Sequence, residues 1–316
     1  MTIYSDLPKP FFVLAPMDDV TDTVFRRVVG SCASPDVYFT EFVNVDGLQS
    51  PGRHKLMKKL LTHGEESQTI AQIWGKNPEN YYKTAQDLID MGFAGIDINM
   101  GCPAKSEVKA GTCSALINNR PLALDIIQAT QSGADGKIPV SVKTRLGFNE
   151  LDFTWHEFLL QQNLAMLTVH GRTKKEMSKV PANWDHIGHI RQLRDDMGID
   201  TLIVGNGDVV DRVHGLQLAK EHQLDGIMIG RGIFHDPFAF AAPSPWPQIS
   251  QTERIELYRK HVELFAETWQ DNERPIHTLN KFCKIYIQGF DGAKEAREKL
   301  MQATSADELL DLLKAS

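Results

Sequence analysis

The chain predicts an α/β fold, a TIM-type eight-stranded parallel barrel followed by a small C-terminal helical domain. Two observations carry that expectation: between residues 11 and 232 eight short apolar, β-branched runs alternate with longer segments of helical period, and beyond residue 250 strand-like runs cease. The runs are 11–16, 37–42, 69–74, 95–100, 138–146, 166–171, 201–207 and 226–232. Each lacks a clean in/out alternation, as parallel strands covered on both faces do. Between them lie amphipathic helix candidates at 77–91, 122–131, 155–162, 184–197 and 211–222, several opened by Asp or Asn at the N-cap. Strand then helix, repeated eight times, favours a closed barrel; an open doubly wound sheet is the alternative the same pattern allows.

The second unit is marked by a break. The stretch APSPWPQ at 242–248 places three prolines in seven residues, so the domains are expected at 1–242 and 249–316 with a Pro-rich linker at 243–248. In the later part Ile255, Tyr258, Val262, Phe265 and Trp269 fall on one helical face. A composition of 42% hydrophobic and 24% charged residues over 316 positions is that of a soluble globular protein. No apolar stretch approaches the ~18 residues of a membrane span, and the N-terminus lacks a secretory pattern, so a cytoplasmic protein with no membrane partner is expected. Four cysteines at 32, 102, 113 and 283 with no CxxC pair suit neither a disulfide framework nor a metal site. A monomer is the default. The formal net charge of −7 counts, by itself, against a polyanionic partner.

In such barrels chemistry sits at the C-terminal ends of the strands, and a phosphate is often held after the seventh and eighth. Here the seventh run ends in Gly205-Asn206-Gly207-Asp208 and the eighth in Gly230-Arg231-Gly232. Glycines let backbone approach an anion, and Arg231 adds a guanidinium fork, so both turns are candidates for a phosphate-bearing cofactor. The third run offers Gln72, the fourth ends in Asn99-Met100-Gly101-Cys102-Pro103, the fifth in Lys143-Thr144-Arg145 and the sixth in His170-Gly171-Arg172. A lysine inside the apolar run 140–146 is costly to desolvate, so Lys143 requires either a salt bridge within the barrel or an anionic or electron-rich ligand. Cys102, just past a strand end, is presented to the rim as a thiol able to donate a proton at neutral pH. Cys32, Cys113 and Cys283 lie in or beside apolar segments and read as inert packing.

Taken together these motifs resemble the flavin-dependent tRNA-dihydrouridine synthases. The matching segments are Ala15-Pro16-Met17-Asp18-Asp19-Val20-Thr21-Asp22, Thr40-Glu41-Phe42, Gln72-Ile73-Trp74-Gly75, Asp97 to Pro103, Val142 to Gly147, Val169 to Thr173, Gly205 to Asp208 and Ile229 to Gly232, in order along the whole barrel. The resemblance implies FMN as cofactor, NADPH as electron donor and tRNA as partner, with reduction of the C5=C6 bond of a uridine flipped into the barrel mouth. It further implies that Pro16, Met17 and Asp18 lie beside the flavin, that Gln72 hydrogen-bonds its ring and that Lys143 sits at its N1/O2 edge. By the same resemblance His170 helps hold cofactor or substrate, Asn206, Gly207, Asp208, Gly230 and Arg231 hold the phosphate, and Cys102 is the proton donor. Asn99, Arg145, Arg172, Lys174 and Lys281 are candidates for substrate contact. Asp19 stands where the family usually has glycine, and Cys113 where glycine or alanine is usual. The segment 174–183 lacks the Gly-Tyr expected after His-Gly-Arg-Thr; its lysines are candidate RNA contacts.

Charge distribution reconciles an acidic chain with RNA. Ten basic and twelve acidic residues follow residue 243, so neither part is basic overall. Yet Arg53, Lys55, Lys58 and Lys59 follow the second run, Lys105 and Lys109 the fourth, and Arg145, Arg172, Lys174, Lys175 and Lys179 the fifth and sixth. These segments converge on one rim, and Lys281 and Lys284 can extend the basic face onto the second domain. Three other readings stay open on sequence: a barrel flavoenzyme acting on a small molecule, a dihydrouridine synthase acting on rRNA, and an RNA-binding protein without catalysis.

Overall fold

The structure, a computed structural model, describes residues 3–64, 68–270 and 273–314; the outermost residues of the two expected domains, 1–2 and 315–316, lie outside them. Nine parallel strands form one sheet: β1 (Phe11–Leu14), β2 (Tyr38–Phe39), β3 (Val43–Asn44), β4 (Thr69–Trp74), β5 (Gly95–Met100), β6 (Val140–Arg145), β7 (Met166–His170), β8 (Leu202–Asn206) and β9 (Gly226–Ile229). Their order is β1-β9-β8-β7-β6-β5-β4-β2, with β3 also on β4. First and last strands pair, and a parallel bridge between Val13 and Val37 closes the ring, so the sheet is a barrel rather than open.

The second expected run is where local structure departs. It is split into β2 and β3 because the chain carries one extra residue there: Phe39 pairs with Ile70, but Val43 pairs with Ile73, four steps against three. Such an insertion bends a strand and re-aims a side chain. Here it falls across Thr40-Glu41-Phe42, and Glu41 is fully buried.

Inside the barrel, Phe11, Val13, Val37, Phe39, Ile70, Met166, Val204 and Met228 form a separate apolar cluster, with Tyr4 packed against it. The helices outside begin where their caps are: Asn77 for Pro78–Asp90, Asp152 for Phe153–Leu160, Asn183 for Trp184–Asp196 and Asp211 for Arg212–His222 each accept a backbone N–H. Each such cap contributes on the order of 1 kcal/mol. Pro78–Asp90 lies so close to Arg120–Ala134 that a Cβ on Gly133 would stand 2.3 Å from the Tyr82 carbonyl oxygen.

Among the described residues four α-helices follow the barrel: Gln251–Thr268, Asn280–Tyr286, Ala293–Leu300 and Ala306–Lys314. The first opens with a capping box between Ser250 and Glu253 and buries Tyr258, Val262 and Phe265. This face meets helix Thr23–Cys32 of the barrel layer, and Phe25 stacks on Phe282 with ring centroids 4.8 Å apart. The Pro-rich segment is packed: Trp246 is buried, and the Arg254 guanidinium lies 4.4 Å above its ring. Among the described residues no helix is long and apolar enough to cross a membrane.

Candidate active site

Strand register places the polar residues singled out above on the barrel's inner face. Asn99 is level with Lys143 and Lys143 with Thr168; one step nearer the C-terminal mouth, Arg145 is level with His170 and His170 with Asn206. Gln72, Asp97 and Ser141 make the row beneath. Because side chains alternate along a strand, the inward set at 97 and 99, 141, 143 and 145, and 168 and 170 follows from period two alone.

A hydrogen-bonded chain links these rows. Ser141 Oγ donates to Asp97 Oδ1 at 2.6 Å, and Gln72 Nε2 to Asp97 Oδ2 at 2.7 Å. Asn99 Nδ2 donates to Gln72 Oε1 at 3.0 Å. Asn99 Oδ1 then accepts the backbone N–H groups of Gly101 (3.1 Å) and Cys102 (2.9 Å), which holds the turn carrying the thiol. Burial pushes the Asp97 carboxyl up to about 6, against the pull of these donors and of Lys143.

Cys102 is half-buried at the start of the loop after β5. Its thiol is lowered to about 7, first by a hydrogen bond from the Cys113 thiol, then by the Ala104 N–H and the Arg145 charge, against burial. Cys113, expected to be inert packing, is fully buried and raised by the same contact. Lys143 is lowered to about 8, chiefly by burial and then by Arg145, while Asp97 and Cys102 pull the other way. Among the described residues its ammonium has no direct hydrogen-bond or ion-pair partner. Thr168 Oγ1, level with it on β7, is likewise buried without a partner.

His170 is held neutral by burial and by Lys143, Arg145, Arg172 and Arg231 around it. Arg172 Nη1 lies 3.2 Å from His170 Nε2, and since a guanidinium can only donate, Nε2 accepts and the ring proton resides on Nδ1. Arg172 is buried, donates to the Val180 carbonyl at 2.5 Å and pairs with Asp208. Asp208 also pairs with Arg231 at 3.1 Å and accepts the Ala182 N–H, so its carboxylate is engaged. The turn beneath requires its residues: Gly207 has φ +129° and Asp208 +55°. Gly230 flanks Ala15, whose N–H bonds the Ile229 carbonyl, so the β9 turn adjoins Pro16.

The loop after β1 carries Met17, Asp18 and Asp19. Asp19 has φ +56°, and its N–H donates to Glu41 at 2.7 Å. Asp18 pairs with Lys59. From the helical unit, buried Arg274 reaches Asp22 at 2.6 Å and both Glu41 oxygens at 2.9 and 3.0 Å, and Lys281 donates to the Asp19 carbonyl. Lys281, a candidate substrate contact, is thereby tied to the loop beside the mouth. Arg145 is also engaged, donating to the carbonyls of Gly101 (2.7 Å), Thr173 and Met177 (3.2 Å each). Lys174 lies 4.6 Å over the Phe148 ring, while Lys105, Lys109, Lys175 and Lys179 are exposed. A broad hollow at the opposite end of the barrel, lined by Lys9, Lys137 and Thr201 among others, lies at the strands' N-terminal ends, away from these groups.

Sequence reasoning did not single out Asp97, Thr168, Arg274 or Cys113 for the site. Period two from Asn99 and Lys143 would have found Asp97 and put Thr168 inside; nothing local marks Arg274 or brings Cys113 to Cys102.

Fold and site define a (β/α)8-barrel protein whose mouth combines a thiol, a lysine with no direct ion-pair partner among the described residues and an arginine cluster. Residues 13–316 match the family model described as dihydrouridine synthase (Dus), and the chain belongs to that family. It is 47% identical over 313 residues to a "Probable tRNA-dihydrouridine synthase" of Staphylococcus aureus, covering 98% of this chain and 94% of the relative. Over 314 residues it is 46% identical to the "Probable tRNA-dihydrouridine synthase 2" of Bacillus subtilis, with 98% and 95% covered. Two solved structures share the fold at low identity. A variant of NCR from Zymomonas mobilis has TM-score 0.51 and 14% identity over 78% of this chain and 91% of that one. A 2-naphthoyl-CoA reductase has TM-score 0.59 and 11% identity over 78% and 51%.

Proposed function

We propose that this protein is an FMN-dependent tRNA-dihydrouridine synthase that takes reducing equivalents from NADPH and reduces the C5=C6 bond of a tRNA uridine. The observation that supports this reading best is the meeting, in one barrel mouth, of Lys143, which has no directly bonded counterion among the described residues, and the Cys102 thiol. A bound flavin suits the residues present: Lys143 Nζ and Thr168 Oγ1 are polar groups awaiting an electron-rich partner. Pro16, Met17, Asp18, Gln72, Lys143 and His170 would border its ring, and the backbone of 206–208 with Gly230 and Arg231 would hold its phosphate.

A bound FMN would supply the hydride chemistry that reduction of the base requires. Lys143 would help hold the flavin ring and would stabilise the negative charge of its reduced form. Neutral His170 leaves that role to the lysine. Cys102 donates the proton to C5, and an acid lowered to about 7 is matched to neutral pH. A uridine within folded RNA reaches this mouth only by leaving its stack, so the substrate nucleotide is flipped. The exposed lysines after β5 and β7, with Lys284 of the helical unit 249–316, would meet the phosphates.

The test is to map dihydrouridine in tRNA and rRNA from cells with and without the gene. Loss of specific tRNA dihydrouridines on deletion supports the reading; unchanged tRNA refutes it.

A further inference from the structure

The side-chain amides of Gln72 and Asn99 are each symmetric enough that either end could face a neighbour, but their chain is anchored at both ends by groups with no such freedom. At one end the backbone N–H groups of Gly101 and Cys102 can only donate, so Asn99 must turn Oδ1 to them. Asn99 Nδ2 therefore faces Gln72, which must present Oε1. At the other end the Asp97 carboxylate accepts from Gln72 Nε2 and Ser141 Oγ, the orientation the first end demands. Both amide oxygens are thus committed within the chain. Each amide nitrogen keeps one hydrogen for which no partner exists among the described residues.

We propose that Asp97 is a positioning residue for the reduction. By accepting from Gln72 and Ser141 it fixes the direction of the whole chain, so that Gln72 and Asn99 offer N–H donors to the mouth, and through Asn99 it holds the Cys102 turn. This rests on the function proposed above. Donors suit the carbonyl oxygens of a flavin or uracil ring and reject an exocyclic amino group at the same place. The device also explains a buried carboxylate on the inner face that has neither a directly bonded cation nor a place at the rim.

The experiment compares Asp97→Ala with Asp97→Asn in the full-length protein loaded with FMN. Both remove the charge beside Lys143, but the asparagine variant retains an oxygen that accepts from Gln72 and an amide that donates to Ser141, whose hydroxyl can turn to the Ile96 carbonyl 3.3 Å away. D97A is expected to lower kcat for uridine reduction about tenfold, leave KM for tRNA unchanged and shift the visible absorption of bound FMN; D97N restores most of the rate and the spectrum. Wild-type kcat in D97A, or D97N as impaired as D97A, overturns the proposal. Should D97A fail to fold, Gln72→Met, which has no N–H to give Asp97, must reproduce the loss of kcat and the spectral shift; a wild-type rate in Q72M overturns it equally. Wild-type protein that neither binds FMN nor reduces tRNA uridine instead refutes the underlying function, so the two failures are distinguishable.

Discussion

Replacing Lys143 by methionine separates the cost of the part-buried cation from its use. Burial and Arg145 lower its ammonium from 10.5 to about 8, outweighing Asp97 and Cys102. At 1.36 kcal/mol per unit the flavin-free fold is penalised by at most about 3 kcal/mol at neutral pH, less whatever the water at this part-exposed ammonium returns. The folded value is the lower one, so the penalty is full below pH 8, where the folded state too must carry the proton. It fades between pH 8 and about 10.4 as the folded state sheds a proton that the unfolded chain retains, and stability therefore rises with pH across that window. Lys143→Met, close in length and uncharged, is expected to stabilise flavin-free protein at pH 7 and to lose that advantage by pH 10. Urea unfolding of both proteins at pH 7, 8.5 and 10 measures the difference, in which other titrating groups cancel. In the loaded protein the order reverses: K143M binds reduced flavin more weakly than oxidised flavin relative to wild type, and its midpoint potential falls. A flavin-free K143M that is less stable than wild type at pH 7, or a stability difference that does not change with pH, refutes the argument that Lys143 is held uncompensated for a ligand.

Other perturbations address the thiols and the link between barrel and helices. Cys102→Ala should bind FMN and accept electrons from NADPH yet reduce uridine at least about a hundredfold more slowly in single turnover, the range of a lost general acid; full product formation would exclude Cys102 as the donor. Because the Cys113 thiol is the largest influence lowering Cys102, Cys113→Ala should move the alkaline limb of the single-turnover rate to higher pH, and an unmoved limb would show that the contact is without effect. Arg274→Met strands the buried Glu41 and Asp22 carboxylates and should cost roughly 3–5 kcal/mol. Burial already raises Glu41 despite Arg274 and Lys59, so the loss should be smaller at pH 5 than at pH 8; urea midpoints at the two values check the sign.

How much of this was legible in the chain depends on how local each cause is. The strands 69–74 and 95–100 coincide with their apolar runs, because such runs are bounded by their own turn residues and need no partner to declare them. The run 37–42 is split because its break is a matter of register: one residue too many against β4, which no inspection of 37–42 alone can count. The rim followed from the rule that strand ends carry the chemistry, and Lys143 and His170 could be placed there by type and position. Arg145 and Arg172 could be placed but not interpreted. Their guanidinium groups are spent on loop carbonyls and on Asp208, contacts made by residues 8 to 44 positions away that leave no periodic trace. Arg274 is the extreme case, its partners lying more than 230 residues upstream.

Two departures from the family pattern share a physical cause that neither reveals alone. Asp19 and Cys113 both occupy the left-handed region, at φ +56° and +52°, where a side chain costs about 1 kcal/mol or more over glycine. Each flanks the mouth, and each contributes something there that glycine could supply only in part or not at all. A glycine at 19 would still offer its N–H to Glu41, but not the carboxylate that lies 3.7 Å from Arg274, nor therefore the third acid in the cluster that draws the helical unit onto the loop after β1. A glycine at 113 would leave Cys102 without the thiol that lowers it. The backbone strain at both positions is thus coupled to the groups proposed to hold the cofactor and move the proton. Restoring glycine should ease the backbone at each site while loosening the loop after β1 in one case and raising the Cys102 thiol in the other.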